Sequence, residues 1–145
     1  MNKQKPSLFR IVSNDYPSLL AVLFPVVFWI FTAYFFYGGD ASAELFLLLS
    51  IGMTVVGIPV LIWRYRMVAS VFEDGMETPG TIQSIHFFRG RGRVEYAYTF
   101  QGQKYASGNA VNRTKYTRDL SGGQSVTVVV DPANPKRAFI KEIYL

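Results

Sequence analysis

Two apolar runs of 19 residues, 19–37 and 45–63, carry no charged side chain and are separated by only seven residues. A bilayer core about 30 Å thick takes roughly 20 helical residues to cross. Each run is long enough, and so short a connection forces the two helices to lie antiparallel. The expectation is a membrane helical hairpin. Whatever else the chain does, it does it beside a lipid surface.

The hairpin divides the 145 residues unequally. An N-terminal segment (1–18) precedes the hairpin (19–63), a juxtamembrane helix and linker follow (64–79), and residues 80–145 remain for a folded domain. A domain of that size buries only about 60% of its unfolded surface and is marginal alone, so support from the anchor or from a partner is expected. The chain has no cysteine, which excludes disulfides, thiolate metal sites and cysteine nucleophiles. Segment 64–145 holds 12 Lys and Arg against 7 Asp and Glu. A basic domain beside a membrane complements anionic headgroups.

Lys3, Lys5 and Arg10 precede the first run, and Arg64 and Arg66 follow the second. The intervening loop has no Lys or Arg and contains Asp40 and Glu44. Positive flanks stay on the cytoplasmic side, so both termini are expected there, in a bacterial inner membrane. Tyr16, Trp63 and Tyr65 mark one interface, and Tyr34 and Tyr37 the other. The rival reading is a signal peptide cleaved at Ala41-Ser42-Ala43. The first run is longer than a signal-peptide core of about 7–15 residues, and a second run follows at once, which disfavours cleavage.

Pro25 lies in the first run, and Gly52, Gly57 and Pro59 lie in the second. Membrane helices tolerate such residues when neighbours satisfy the freed carbonyls. Ser50 and Thr54 form a small-xxx-small step. Packing inside the hairpin is the favoured use, and a face for oligomerisation is the alternative. No ionisable residue lies in either run, which argues against a transporter or channel built by this chain alone. Residues 6–14 read as an interfacial element, with Leu8, Phe9, Ile11 and Val12 toward the bilayer and Lys5 and Arg10 at the headgroups. Residues 64–74 continue the second helix to a C-cap at Gly75. Residues 77–80 (Glu-Thr-Pro-Gly) read as a hinge.

Beyond Gly80 the apolar period falls from helical to two. Residues 81–88 are rich in β-formers, and Val94, Tyr96, Tyr98 and Phe100 share one face of a strand over 93–100. Arg89-Gly90-Arg91-Gly92 and Gln101-Gly102 supply turns, and 103–111 completes a hairpin. Residues 112–124 read as a loop, 124–130 as a strand, 131–135 as a turn and 136–145 as the last strand. Five short strands predict a small antiparallel barrel or sandwich.

The chemistry-bearing residues are sparse. His86 is the single histidine, with no nucleophile or orienting carboxylate marked beside it, and reads as a structural strand residue. Ser121-Gly122-Gly123 lacks the lysine and helix of a phosphate loop, and Asp131 with Asn134 falls short of a cation's 6–8 oxygen ligands. No enzyme constellation emerges, and no cofactor or metal is expected. Arg89, Arg91 and Arg93 alternate with glycines, and Arg113, Lys115 and Arg118 punctuate the long loop. These six are the candidate contacts for anionic lipid or a partner. Nucleic acid is disfavoured, because Tyr96, Tyr98 and Phe100 read as core rather than as base-stacking platforms.

Residues 79–82 (Pro-Gly-Thr-Ile), 94–100 with Gly102, and the ending 123–135 (Gly-Gln-Ser-Val-Thr-Val-Val-Val-Asp-Pro-Ala-Asn-Pro) resemble a bacterial membrane family, the domain of unknown function 3592. The resemblance covers about residues 80–140. It implies membrane helices paired with a small β domain, and supplies no activity. Val130 stands where that family often has tyrosine, so a role for that tyrosine does not carry over.

Three non-enzymatic functions follow as expectations. The β domain could mediate protein–protein interaction or self-assembly. It could bind anionic lipid or another polyanion. Or the chain could be an accessory subunit of a transporter or secretion system, with the hairpin as the contact.

Overall fold

A computed structural model describes residues 5–145; Lys3, used above to orient the hairpin, lies outside them. The chain runs α1 (Leu8–Asn14), α2 (Tyr16–Gly38), α3 (Ala43–Asp74), β1 (Met76–Phe88), β2 (Arg91–Phe100), β3 (Gln103–Asn112), β4 (Ser125–Asp131), β5 (Asn134–Ile140) and α4 (Lys141–Tyr144).

The helices α2 and α3 form the expected hairpin. Gly39 ends α2 with φ +67° and donates back to Phe36 O at 3.3 Å, while Asp40 N reaches Phe35 O at 3.1 Å, a left-handed C-cap suited to glycine. The polar residues of the two apolar helices face each other. Thr32 and Ser50 hydroxyls meet at 2.6 Å, and Trp29 Nε1 donates to Thr54 Oγ1 at 3.0 Å. Ser50 and Thr54 therefore serve internal packing. Gly57 permits the close approach, since a Cβ there would lie 2.5 Å from Ala21 O. Only 6% and 11% of the most apolar windows of α2 and α3 are buried. Both helices are long and apolar enough to cross a membrane, and their outer faces are uncovered.

At 1.5 Å per residue the 32 residues of α3 extend roughly 48 Å, well beyond a bilayer core. The excess is its last three turns. There Val68, Val71 and Phe72 are buried in the same core as the strands. The apolar hairpin and the β unit thus share one continuous helix, ended at Gly75, whose N–H bonds Val71 O at 2.8 Å.

The five strands make one antiparallel sheet of order β3-β2-β1-β4-β5. It curls until its edges approach. Ser107 Oγ donates to Lys136 O at 3.3 Å, and the Tyr96 and Tyr98 hydroxyls cross from β2 to Ala138 O (2.6 Å) and Pro135 O on β5. The result is a nearly closed barrel rather than a sandwich. Val94, Tyr96, Tyr98 and Phe100 all point into it, as their alternation predicted. The β1–β2 and β2–β3 turns each carry two residues at positive φ (Arg89 +50°, Gly90 +82°; Gln101 +50°, Gly102 +78°), the twist that two-residue hairpins favour.

Three expectations are corrected. Residues 77–80 are not a hinge: Met76–Thr81 pair with Val130–Ser125 of β4. Pro79 is tolerated because the β1–β2 ladder starts only at Gly80, leaving a single neighbouring strand. The last strand starts at Asn134, with Pro135 on an edge strand, and ends at Ile140. A helical turn follows, because the adjacent Ile143 and Tyr144 are both fully buried and strand alternation would expose one of them. Finally, Ile11 does not face the bilayer; it is completely buried in the β-unit core, while Leu8 and Phe9 are exposed.

Candidate membrane-surface site

The β unit meets the hairpin at a buried polar junction. Asp15, between α1 and α2, is inaccessible to solvent and caps α2 by accepting from Ser18 N (3.1 Å) and Ser18 Oγ (2.6 Å). Arg64 grips the same carboxylate with two parallel bonds, Nη2 to Oδ1 at 2.7 Å and Nε to Oδ2 at 3.0 Å. A two-pronged guanidinium–carboxylate pair has strong, directional geometry. Asp15 and Arg64 stand at the same end of the hairpin, so the pair closes that end as one neutral unit. Neighbouring bonds reach α4, the end of β3 and the loop that follows it. Asn14 Nδ2 donates to Ile143 O at 2.6 Å, Thr114 Oγ1 donates to Asn14 Oδ1 at 2.7 Å, and Asn112 Nδ2 donates to Ser13 O at 2.9 Å. Tyr144 lies beside the pair, its hydroxyl 3.5 Å from Asp15 Oδ1, and burial raises its phenol above the ordinary range. No buried side-chain polar atom among the described residues lacks a partner.

This junction fixes a basic, aromatic rim at the start of α2. The loop after β3 is held by Thr117, whose hydroxyl donates to Asn112 O at 2.5 Å and accepts from Thr114 N at 2.8 Å. Arg113 N then docks on Gly90 O at 2.8 Å, tying the loop to the β1–β2 turn. Arg91 Nη1 donates to the Tyr16 hydroxyl at 2.5 Å. Arg113 lies over the Phe87 ring at 5.9 Å, Arg89 over Phe88 at 5.1 Å, and both Arg10 (4.4 Å) and Lys115 (4.9 Å) over Tyr116.

Of the six expected contacts, the fold thus gathers Arg89, Arg91, Arg113 and Lys115. Arg93 instead faces Glu95 at 3.5 Å, and Arg118 faces Asp119 at 3.4 Å. Sequence reasoning had placed Arg10 at the headgroups without joining it to this group, and it missed Asp15 and Tyr144 altogether. Among the described residues the five clustered cations have no carboxylate partner. Phe9 (79% exposed) and Phe88 (65%) project beside Arg10 and Arg89. Cations, aromatics and exposed apolar side chains at the end of a span are the composition of a membrane interface. His86 sits on the outer, exposed side of β1, and no group of three or more potential metal ligands occurs among the described residues.

Residues 78–142 match the family model of a Domain of unknown function (DUF3592). The match takes in the strands from the third residue of β1 into α4 and stops short of both long helices. It bears out the resemblance read from the strand and turn residues. No curated protein and no solved structure matches the chain.

Proposed function

We propose that this is a non-enzymatic integral membrane protein whose DUF3592 unit sits directly on the cytoplasmic surface of a bacterial inner membrane and engages anionic lipid headgroups through its basic rim. The observation that carries the reading is the group of Arg10, Arg89, Arg91, Arg113 and Lys115, without carboxylate partners among the described residues and joined to the start of α2 where Arg91 meets Tyr16, its first residue. Each basic residue near an anionic surface contributes about 1 kcal/mol at moderate salt. The lipid reading is preferred to protein assembly through the β unit because that unit offers a partner little to bury. Outside the helices, Met76 and Phe88 are its only exposed large apolar residues among those described. A membrane partner contacting the uncovered hairpin is the second reading, supported by the bare outer faces of α2 and α3.

The test is reconstitution of the full chain into vesicles containing pyrene-labelled phosphatidylglycerol or phosphatidylcholine, reading energy transfer from Trp29 and Trp63. Enrichment of the anionic lipid should fall with salt. Losing two cations in Arg91→Gln/Arg113→Gln removes about 2 kcal/mol, roughly a 30-fold drop in preference. Equal transfer from both lipids would refute the reading. Orientation is tested separately, since the chain has no cysteine of its own. Ser121→Cys should react with an impermeant maleimide only from the cytoplasmic side and Ser42→Cys only from outside.

A further inference from the structure

A second feature lies on the far flank of α3. The side of α3 that faces α2 carries Gly57, Leu61 and Arg64. At about 100° per residue, Pro59, Ile62 and Arg66 fall opposite. There α3 and β5 border an open notch of about 650 Å³, lined by Pro59, Ile62, Trp63, Arg66, Met67 and Arg137 among others. It is therefore separate from the rim at Tyr16.

The notch is graded along the membrane normal. Pro59, Ile62 and Trp63 belong to the uncharged run, and Arg66 lies about 10 Å further along the helix than Pro59. Arg137 comes from β5 in the β unit. Among the described residues the Arg66 guanidinium has no ion pair and no hydrogen bond. Arg137 has only Asp131, with Nη1 to Oδ2 at 3.6 Å, beyond hydrogen-bond reach. Trp63 is 62% exposed, in the interfacial position where an indole sits between chains and headgroups.

We propose that this notch holds one anionic phospholipid, with its phosphate between Arg66 and Arg137 and an acyl chain along Pro59, Ile62 and Trp63. Charge complementarity selects this occupant. An apolar partner helix would cover the lower wall and strip water from Arg66 without a counter-charge. A free phosphate would use the arginines and leave the apolar wall bare. The proposal rests on the membrane reading of the helices, and not on the rim.

The experiment is native mass spectrometry of the full chain in detergent, after extensive delipidation and re-addition of phosphatidylglycerol, phosphatidylcholine or inorganic phosphate. One phosphatidylglycerol should remain bound at a ratio where phosphatidylcholine and phosphate do not. Arg66→Gln, which removes no hydrogen bond or ion pair inside the described fold, should weaken retention at least tenfold, while Arg91→Gln/Arg113→Gln keeps it. Unchanged retention in Arg66→Gln overturns the proposal. So does equal retention of both lipids, binding of phosphate alone, loss only in the rim variant, or a dimer mass in place of the lipid adduct. A failed rim with an intact adduct leaves this site standing. A chain that stays soluble without detergent would sink the membrane reading beneath both.

Discussion

Asp15→Asn should loosen the β unit from its anchor. The side chain is fully buried, and the Arg64 side chain is only 16% exposed. Both Arg64 bonds end on its carboxylate, at 2.7 and 3.0 Å. Asparagine still accepts from Ser18 N, so the helix cap largely survives. What is lost is the counter-charge, leaving a guanidinium buried and unpaired. Breaking one side of a buried pair costs about 3–5 kcal/mol. With the cap retained, about 3 kcal/mol is expected for Asp15→Asn, and a similar amount for Arg64→Met. The double variant leaves no uncompensated charge, so it should cost far less than the sum, with a coupling of about 2–3 kcal/mol. The assay is reversible denaturant unfolding of the full chain in detergent, with pulse proteolysis reporting the β unit. Single variants within 1 kcal/mol of the parent, or a double variant that merely adds the two losses, would refute the view that this pair holds the two parts together.

Gly57→Ala should destabilise the hairpin by about 1–3 kcal/mol in SDS titration, because its Cβ collides with a backbone carbonyl. Gly52→Ala, whose Cβ meets nothing within 4 Å, should be neutral or stabilising. Burial raises the phenols of Tyr96 and Tyr144 well above the unfolded value of about 10. Their contribution is complete below pH 10 and is lost as pH rises toward the folded values, with a slope near 1.4 kcal/mol per pH unit for each tyrosine. Tyr144→Phe should therefore flatten alkaline unfolding measured between pH 10 and 11; an unchanged slope would contradict this. Arg89→Asn relieves a non-glycine residue at φ +50° and should stabilise the β unit by up to about 1 kcal/mol, while lowering anionic-lipid enrichment. Loss of stability would mean that the turn needs the arginine itself.

The elements with a single dominant signal were legible in the sequence. The uncharged runs marked α2 and α3, and the alternation from Val94 to Phe100 marked the inner face of β2. Arg89-Gly90 and Gln101-Gly102 marked the turns. The errors fall where tertiary packing overrides local pattern. Pro79 argued for a hinge because a sequence cannot show that its strand has one neighbour at that point. Ile143 and Tyr144 extended the apparent last strand because their joint burial depends on α3 and α1 lying beneath them. The N-terminal segment misled most. Apart from Pro6, its buried residues among those described are Ile11, Asn14, Asp15 and Ser18, each fully inaccessible. Three of these four are polar, so the inward side looked solvated and the apolar Leu8 and Phe9 set the reading.

The same inversion accounts for why the rim was only half visible. Four of its cations could be found as isolated basic residues, but their convergence depends on the β1–β2 turn, the loop at Arg113 and the start of α2 being brought together by bonds around Asn14 and Asp15. A flexible tether would let the β unit tumble and average those charges over all orientations. Here α3 enters the barrel core without a break, and Arg64 clamps the start of α2 to it through Asp15. On the proposed reading, the face turned toward the lipid is thus set by the fold. This makes the rim and the Arg66 notch two fixed stations on opposite flanks of one anchor. Loosening the Asp15–Arg64 pair should blur the first, whose residues depend on that junction. It should weaken the second less, because Pro59, Ile62, Trp63 and Arg66 lie on the single helix α3 and only Arg137 comes from the β unit.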